Sequence, residues 1–185
     1  MAFEFFPQSL EGLILIRPRV LGDARGSFME SYRQSEFEAA GIHESFVQDN
    51  HSVSARGVLR GIHYQLPPRP QGKLVRVSAG SVWDVGVDLR KDSETFGQWC
   101  GVELTDENHT MLYLPPGFGH GFVVLSETAH FLYKCTSEYD VSAERGVCWD
   151  DPDLAIDWPL RDVTVSEKDA ALPRLADAEV FEAHF

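Results

Sequence analysis

Two histidines and a lysine carry the chemistry that this 185-residue chain can offer. His63 follows Gly57 after a five-residue gap, in Gly57-Val-Leu-Arg-Gly-Ile-His63-Tyr-Gln65. A histidine–x–histidine metal site would continue with an imidazole at position 65 and a carboxylate near positions 69 and 70. The chain has Gln65, Arg69 and Pro70 there, and Lys73 shortly after. A second stretch, Pro115-Pro-Gly117-Phe-Gly-His120-Gly-Phe, supplies His120. Two histidines beside an ammonium give a transition metal too few donors and a repelling charge. The same set suits an anionic substrate and proton transfer, so it points to acid–base catalysis rather than oxygenase chemistry.

Each candidate also has a plainer reading. His63 in an apolar strand fits a satisfied core histidine; Arg60 before it and Lys73 after it favour a functional one. A regular strand puts Arg60 and His63 on opposite faces, so a bulge near Gly61 is needed to turn both inward. Pro115–Phe122 fits a plain turn into a strand. Tyr133, in Phe131-Leu-Tyr-Lys, fits an ordinary strand aromatic. Its phenol, with a pKa of ~10, also keeps a proton at neutral pH for a carbanion or enolate. Ser166-Glu-Lys168-Asp169 fits a capping box, and a capping carboxylate near a cleft has an oxygen left to orient a histidine. The Gly22–Glu30 turn is a solvated hairpin, or it presents Arg25 as a phosphate-binding fork. Gln48-Asp49-Asn50 ends a strand or reads a base edge.

The elements that must position these residues read as strands. Short apolar or alternating runs span Leu13–Val20, Phe46–Ser54, Val58–Gln65, Leu74–Ser78, Val82–Leu89, Gln98–Leu104, Thr110–Leu114, Gly121–Leu125, His130–Thr136 and Gly146–Asp150. Ala79-Gly80-Ser81 marks a hairpin between two of them. Many short strands at this spacing predict an antiparallel sandwich or barrel. Helical patterns cover Ser35–Ala40, closed by Gly41, and a segment after Ser166. With no repeat or linker, a single domain over 1–185 is expected, with its strand-rich core at about 13–150 and a helical or irregular segment at about 151–185.

Composition narrows the partners. There are 16 basic and 29 acidic residues, a net charge of −13. Nucleic acid and anionic membrane surfaces call for the opposite sign, although a locally basic pocket can still take a nucleotide. Cys100, Cys135 and Cys148 match no zinc or redox spacing and read as reduced, mostly buried thiols. No apolar run approaches the ~18 residues of a membrane span. The N-terminus lacks the basic start and apolar run of a signal peptide, so a soluble, cytoplasmic protein is expected.

Taken in order, these stretches closely resemble the dTDP-4-dehydrorhamnose 3,5-epimerases, sugar-nucleotide epimerases of deoxysugar biosynthesis. The resemblance runs from about Gly22 to Asp169 and includes Gln71-Gly-Lys73, Asp150-Asp-Pro152 and Ile156-Asp-Trp-Pro159. It implies a mainly β, double-stranded β-helix (jelly-roll, cupin-like) barrel with short peripheral helices and no metal. It also implies a homodimer in which the N-terminal segment of one subunit helps build its partner's site. By the same likeness His63 is the general base, oriented by Asp169, Tyr133 is the general acid, and Lys73 stabilises charge at the sugar's 4-keto oxygen. Arg25, Glu30, Gln48, Asp49, Asn50, Arg60, His120, Glu144 and Lys168 would hold the nucleotide and its diphosphate. Asp84 is a candidate support for His120. Tyr139 stays open as an alternative proton donor or a stacking platform for thymine.

The implied chemistry is self-consistent. Carbons 3 and 5 of a 4-ketosugar both flank the carbonyl, so both carry acidified protons. Removing one gives an enolate, and returning a proton to the opposite face inverts the centre. A base, an acid on the other side and a cation at the oxygen are the minimum set. No redox cofactor is needed, and the chain shows no glycine-rich dinucleotide loop. The competing readings are a mono-epimerase inverting carbon 3 or carbon 5 alone, a metal-dependent cupin enzyme, and a non-catalytic sugar-nucleotide binding module.

Overall fold

Alternation along the chain decides which side chains meet. In Thr128–Cys135 the residues Ala129, Phe131, Tyr133 and Cys135 share one strand face, and His130, Leu132 and Lys134 the other. Such segments account for most of the computed structural model, which describes residues 1–182. In chain order the strands begin with β1 (Phe3–Pro7), β2 (Ile14–Pro18), β3 (Val20–Asp23), β4 (Gly26–Met29), β5 (Gln48–Ala55), β6 (Leu59–Gln65) and β7 (Lys73–Ala79). They continue with β8 (Ser81–Asp88), β9 (Trp99–Thr105), β10 (Met111–Leu114), β11 (Phe118–Val124), β12 (Thr128–Cys135) and β13 (Glu144–Gly146). Helix α1 (Gln34–Ala39) precedes β5; the single-turn α2 (Glu167–Ala170) and a 3-10 turn (Leu175–Asp177) follow β13.

The strands form an antiparallel β-sandwich of the jelly-roll, cupin-like kind. One sheet has the order β1-β2-β10-β7-β12-β5, the other β13-β6-β11-β8-β9, and β3-β4 stands apart as a two-stranded hairpin. Between the sheets lie Leu13, Val75, Val77 and Phe131 against Val82, Leu104, Phe118 and Phe122. The outer face of the five-stranded sheet is covered by the C-terminal segment, whose Leu154, Trp158, Val180 and Phe181 pack on Leu59, Ile62, Val85 and Val123. Phe37 and Ile42, from α1 and just beyond it, cover Phe3, Ile16, Leu74 and Met111 on the outer face of the other sheet. Each such fully buried side chain contributes roughly 1.5–3 kcal/mol relative to exposure. Covered on both sides, β11 is buried along its whole length, His120 included. No helix among the described residues is long and apolar enough to cross a membrane.

Three elements depart from the sequence reading. The sandwich begins at β1, ahead of the expected boundary at 13, because Phe3–Pro7 adds an edge strand to β2; Pro7 is tolerated there, at a strand end. The expected strand at Gly146–Asp150 ends at Gly146 instead. Beyond it, the Cys148 N–H donates to the Pro173 carbonyl and Trp158 Nε1 donates to the Trp149 carbonyl, so the C-terminal segment takes these partners. The helix after Ser166 is a single turn.

The bulge required near Gly61 is present. Between the pairs His120–His63 and Phe122–Arg60, β11 advances two residues while β6 advances three. The extra residue lies at Gly61–Ile62, and Gly61 has φ +127°, so Arg60 and His63 turn to the same side. A Cβ on Gly61 would stand 2.5 Å from the Gly121 Cα and 2.7 Å from the His120 carbonyl oxygen. Gly61→Ala is therefore expected to cost about 2–4 kcal/mol of stability, read by denaturant unfolding. A loss below 1 kcal/mol would show that the bulge relaxes freely.

Candidate active site

α2 supplies one half of the central pair. Ser166 caps the helix, its Oγ accepting the Asp169 N–H at 3.0 Å. In a reciprocal capping box the acid would turn back to the cap residue. Here it reaches β6 instead: Oδ2 accepts the Gly61 N–H at 3.3 Å, and Oδ1 lies 2.7 Å from His63 Nε2. Burial raises the pKa of this carboxyl, but the His63 hydrogen bond and charge, with the Gly61 and Ser166 contacts, outweigh it and hold it below the ordinary range. A carboxylate only accepts, so Nε2 is assigned the proton and Nδ1 keeps a lone pair.

His63 lines a cavity of about 370 Å³ between the two sheets. β6 and β13 contribute His63, Tyr64, Gln65 and Glu144; β5, β7 and β12 contribute Gln48, Asn50, Lys73 and Tyr133; Gln71 and Tyr139 complete it. The Tyr133 hydroxyl has no hydrogen-bond partner among the described residues, and burial with the nearby Cys135 raises its pKa against the opposing charge of Arg60. It stays protonated. Lys73 is buried, and its Nζ donates to the His63 carbonyl at 3.4 Å. Burial pulls its pKa down, with Cys135, Asp84 and Glu144 opposing that fall.

Glu144 ties the rim together. Its two oxygens accept the Tyr139 hydroxyl at 2.7 Å and the Lys168 ammonium at 2.5 Å. Gln48 accepts the Tyr139 N–H at 2.8 Å and donates to Asn50, whose amide in turn contacts Cys135 Sγ at 3.5 Å. Arg60 rests on Ser54 Oγ at 3.1–3.2 Å. His120 lies deeper, with Nε2 2.9 Å from Asp84.

Asp169, Arg60, His120 and Lys168 do not line the cavity but lie beside His63, Tyr133, His63 and Glu144, which do, whereas three other expected residues stand apart from it. Arg25 is at the exposed tip of the β3-β4 hairpin, forked onto Asp23. Glu30 is paired with Arg33. Asp49 points to the outer face of its sheet, where Lys134 donates to it at 2.9 Å; period-two alternation separates it from Gln48 and Asn50. Sequence reasoning gave Gln65 only a negative part. Its amide in fact joins three backbone groups, donating to the carbonyls of Arg69 and Glu138 and accepting the Asp140 N–H. Its place at the absent ligand position was the available signal. Cys135, beside Lys73 in the β7-β12 register, was legible from the Phe131-x-Tyr133-x-Cys135 alternation.

The donor set does not fit a metal ion. Among the described residues no three His, Cys, Asp or Glu side chains are grouped to hold one, Gln65 is spent on backbone, and the Lys73 ammonium stands beside the histidines.

Comparison with known proteins gives the family. Residues 7–177 match the family model described as dTDP-4-dehydrorhamnose 3,5-epimerase. The chain belongs to the dTDP-4-dehydrorhamnose 3,5-epimerase family. It is 56% identical over 175 residues to the dTDP-4-dehydrorhamnose 3,5-epimerase of Pseudomonas aeruginosa, covering 94% of this chain and 96% of the relative. A solved dTDP-6-deoxy-D-glucose-3,5-epimerase from Legionella pneumophila, in complex with dTDP-4-keto-L-rhamnose, superposes with a TM-score of 0.95. It is 46% identical and the match covers 99% of this chain and 100% of that one. A 3'-monoepimerase from Streptomyces bikiniensis in complex with dTDP-quinovose is also similar, with a TM-score of 0.85 and 39% identity over 92% of this chain and 87% of that one. Membership in this epimerase family makes the chain an isomerase.

The Asp169 carboxyl of this epimerase-family chain has a depressed folded pKa, so its charge contributes stability above its ordinary value of 3.8. That contribution is lost as pH falls through the lower folded value. Wild type is thus expected to exceed Asp169→Asn most at neutral pH, the gap narrowing below about pH 4. Urea unfolding across pH 3–7 checks this; a gap that does not change with pH would show that the ionised form is not preferentially held.

Proposed function

We propose that this protein inverts carbons 3 and 5 of dTDP-4-dehydro-6-deoxy-D-glucose, giving dTDP-4-dehydro-L-rhamnose, by proton abstraction next to the 4-keto group. One observation carries the reading: the Asp169-oriented His63 on one sheet and the unpartnered phenol of Tyr133 on the other line one cavity, with Lys73 buried beside them. His63 Nδ1 takes the carbon-bound proton, Lys73 faces the charge that develops on the carbonyl oxygen, and Tyr133 returns a proton from the opposite side. Acid–base catalysis of this kind supplies roughly 10²–10⁴-fold, and a preorganised cation at the enolate oxygen about 3 kcal/mol. Tyr139 is 55% exposed and its hydroxyl is held by Glu144, which suits a platform at the rim better than a proton donor.

The substrate is held from the same chain by Gln48, Asn50, Arg60, His120, Glu144 and Lys168. Among the described residues Arg60 pairs with no carboxylate, so its guanidinium is available to the diphosphate. Arg25 and Glu30 are assigned to the cavity of a second copy, and Asp49 to the contact between copies. Phe28 and Leu21, 65% and 51% exposed, lie on the same hairpin as Arg25, which supports a homodimer. Three free cysteines fit the reducing cytoplasm.

A mono-epimerase is the second reading, favoured by the likeness to the Streptomyces enzyme. Incubation in heavy water with dTDP-4-dehydro-6-deoxy-D-glucose separates the two. Label at carbons 3 and 5 with a rhamno-configured product is the expected result; label at one carbon supports the mono-epimerase; none at either excludes catalysis on this sugar. In the same assay His63→Ala should lose exchange by about 10²-fold or more while still binding dTDP. Tyr133→Phe should exchange protons but return far less inverted product.

Mixing the inactive variants Arg25→Ala and His63→Ala tests the shared site. A random mixture of dimers should recover about a quarter of wild-type activity, because half the dimers are mixed and each has one intact site. No recovery despite subunit exchange would place Arg25 outside the partner's site.

A further inference from the structure

The segment just after β12 is neither strand nor helix, yet side-chain amides hold its backbone at each residue from Ser137 to Asp140. Gln71 Nε2 donates to the Ser137 carbonyl at 2.7 Å. Gln65 Nε2 donates to the Glu138 carbonyl at 3.2 Å, and its Oε1 accepts the Asp140 N–H at 2.8 Å. Gln48 Oε1 accepts the Tyr139 N–H at 2.8 Å. All three glutamines line the cavity. A primary amide both donates and accepts, so it can replace the partners that a neighbouring strand would supply. It also adds no charge at the mouth of a site for an anion.

Gln65 is the central tie. It is buried, and the two groups it holds in this segment flank Tyr139 on either side. Its Nε2 also donates to the Arg69 carbonyl at 2.9 Å, which brings the β6–β7 loop to the same point. Tyr139 itself is exposed at the cavity mouth, with its hydroxyl on Glu144. An exposed aromatic on an irregular segment is ordinarily mobile. This one is fixed through its backbone and at its far end.

With the epimerase reading as its basis, we propose that Gln65 is a positioning residue that fixes Tyr139 as a ready-made platform for the flat heteroaromatic base of the substrate's nucleotide. A ring with an open face and a fixed frame stacks on a base without first losing conformational freedom. Gln65 has committed its amide to backbone, so it acts through Tyr139. Its effect falls on nucleotide affinity rather than on proton transfer, because His63 is oriented separately by Asp169.

Gln65→Met, which keeps the length and removes the amide, tests the proposal. The Kd for dTDP should rise about tenfold, while that for inorganic pyrophosphate, which has no base, stays within about twofold. With the sugar nucleotide, KM should rise about tenfold and kcat stay within about threefold. Equal weakening of dTDP and pyrophosphate would reduce Gln65 to a general structural tie and overturn the proposal. A double-mutant cycle reads the coupling to Tyr139. The double variant should bind dTDP within about twofold of Tyr139→Ala alone. Losses that multiply, or full affinity in Tyr139→Ala, would refute the coupling. Hydrogen exchange in the free wild-type protein does not depend on any variant folding. Protected Tyr139 and Asp140 amides support a platform set before binding; exchange at the rate of an open loop overturns it. Binding and exchange need no turnover, so a wild type that binds dTDP but leaves the proposed sugar unchanged would sink the functional reading separately from the platform.

Discussion

Asp169 reaches His63 across 106 positions of sequence, and that one hydrogen bond depends on the whole tertiary arrangement. It forms only when the segment after β13 has packed Leu154, Trp158 and Phe181 onto the outer face of the five-stranded sheet. That packing carries the Ser166-capped turn to the bulge in β6, where the carboxylate holds both the Gly61 N–H and the His63 ring. Hydrophobic burial, which is non-directional, thus delivers a directional contact accurate enough to set a tautomer. Loosening the segment would leave His63 as an unoriented imidazole.

The cavity also shows how burial divides labour among similar groups. His63 and His120 have the same side chain, the same kind of partner and adjacent positions on paired strands. Water reaches one and hardly reaches the other, so one is suited to exchange protons and the other to hold a fixed pattern of donor and acceptor. Lys73 illustrates the cost. Its ammonium has left water, and several surrounding groups oppose the consequent fall in its pKa. Net charge says nothing of this: a chain at −13 places a buried cation at its centre.

At the mouth, Lys168 is held by Glu144, whereas Arg60 rests on a neutral hydroxyl. Away from the cavity, Lys134 is held by Asp49 and Arg25 by Asp23. An arriving diphosphate must exchange some of these contacts for its own. Exposed ion pairs of this type are worth roughly 0–1 kcal/mol, so the exchange is inexpensive. Glu144 is the exception, because it holds Tyr139 and Lys168 together and is itself mostly covered.

Much of this was legible in the residues themselves. Tyr133 was legible as a strand aromatic whose phenol keeps its proton, the Gly57–Gln65 stretch located His63 and argued against a metal, and the conflict between Arg60 and His63 required a bulge near Gly61 that is present. The sequence reading grouped Asp49 with Gln48 and Asn50, but period-two alternation turns it to the opposite face, onto Lys134. Ser166–Asp169 announced a helix start but not where its carboxylate would point, and Asp84 carried no local mark of facing His120. The strand at Gly146–Asp150 failed for a related reason: Pro173 and Trp158, from the segment that follows, take its backbone partners. Sequence by itself determined residue types, strand faces and backbone freedom, which are local properties of sterics and pattern. Only the tertiary structure decided partners and solvent access, because hydrogen bonds and dielectric environment depend on what folding brings alongside.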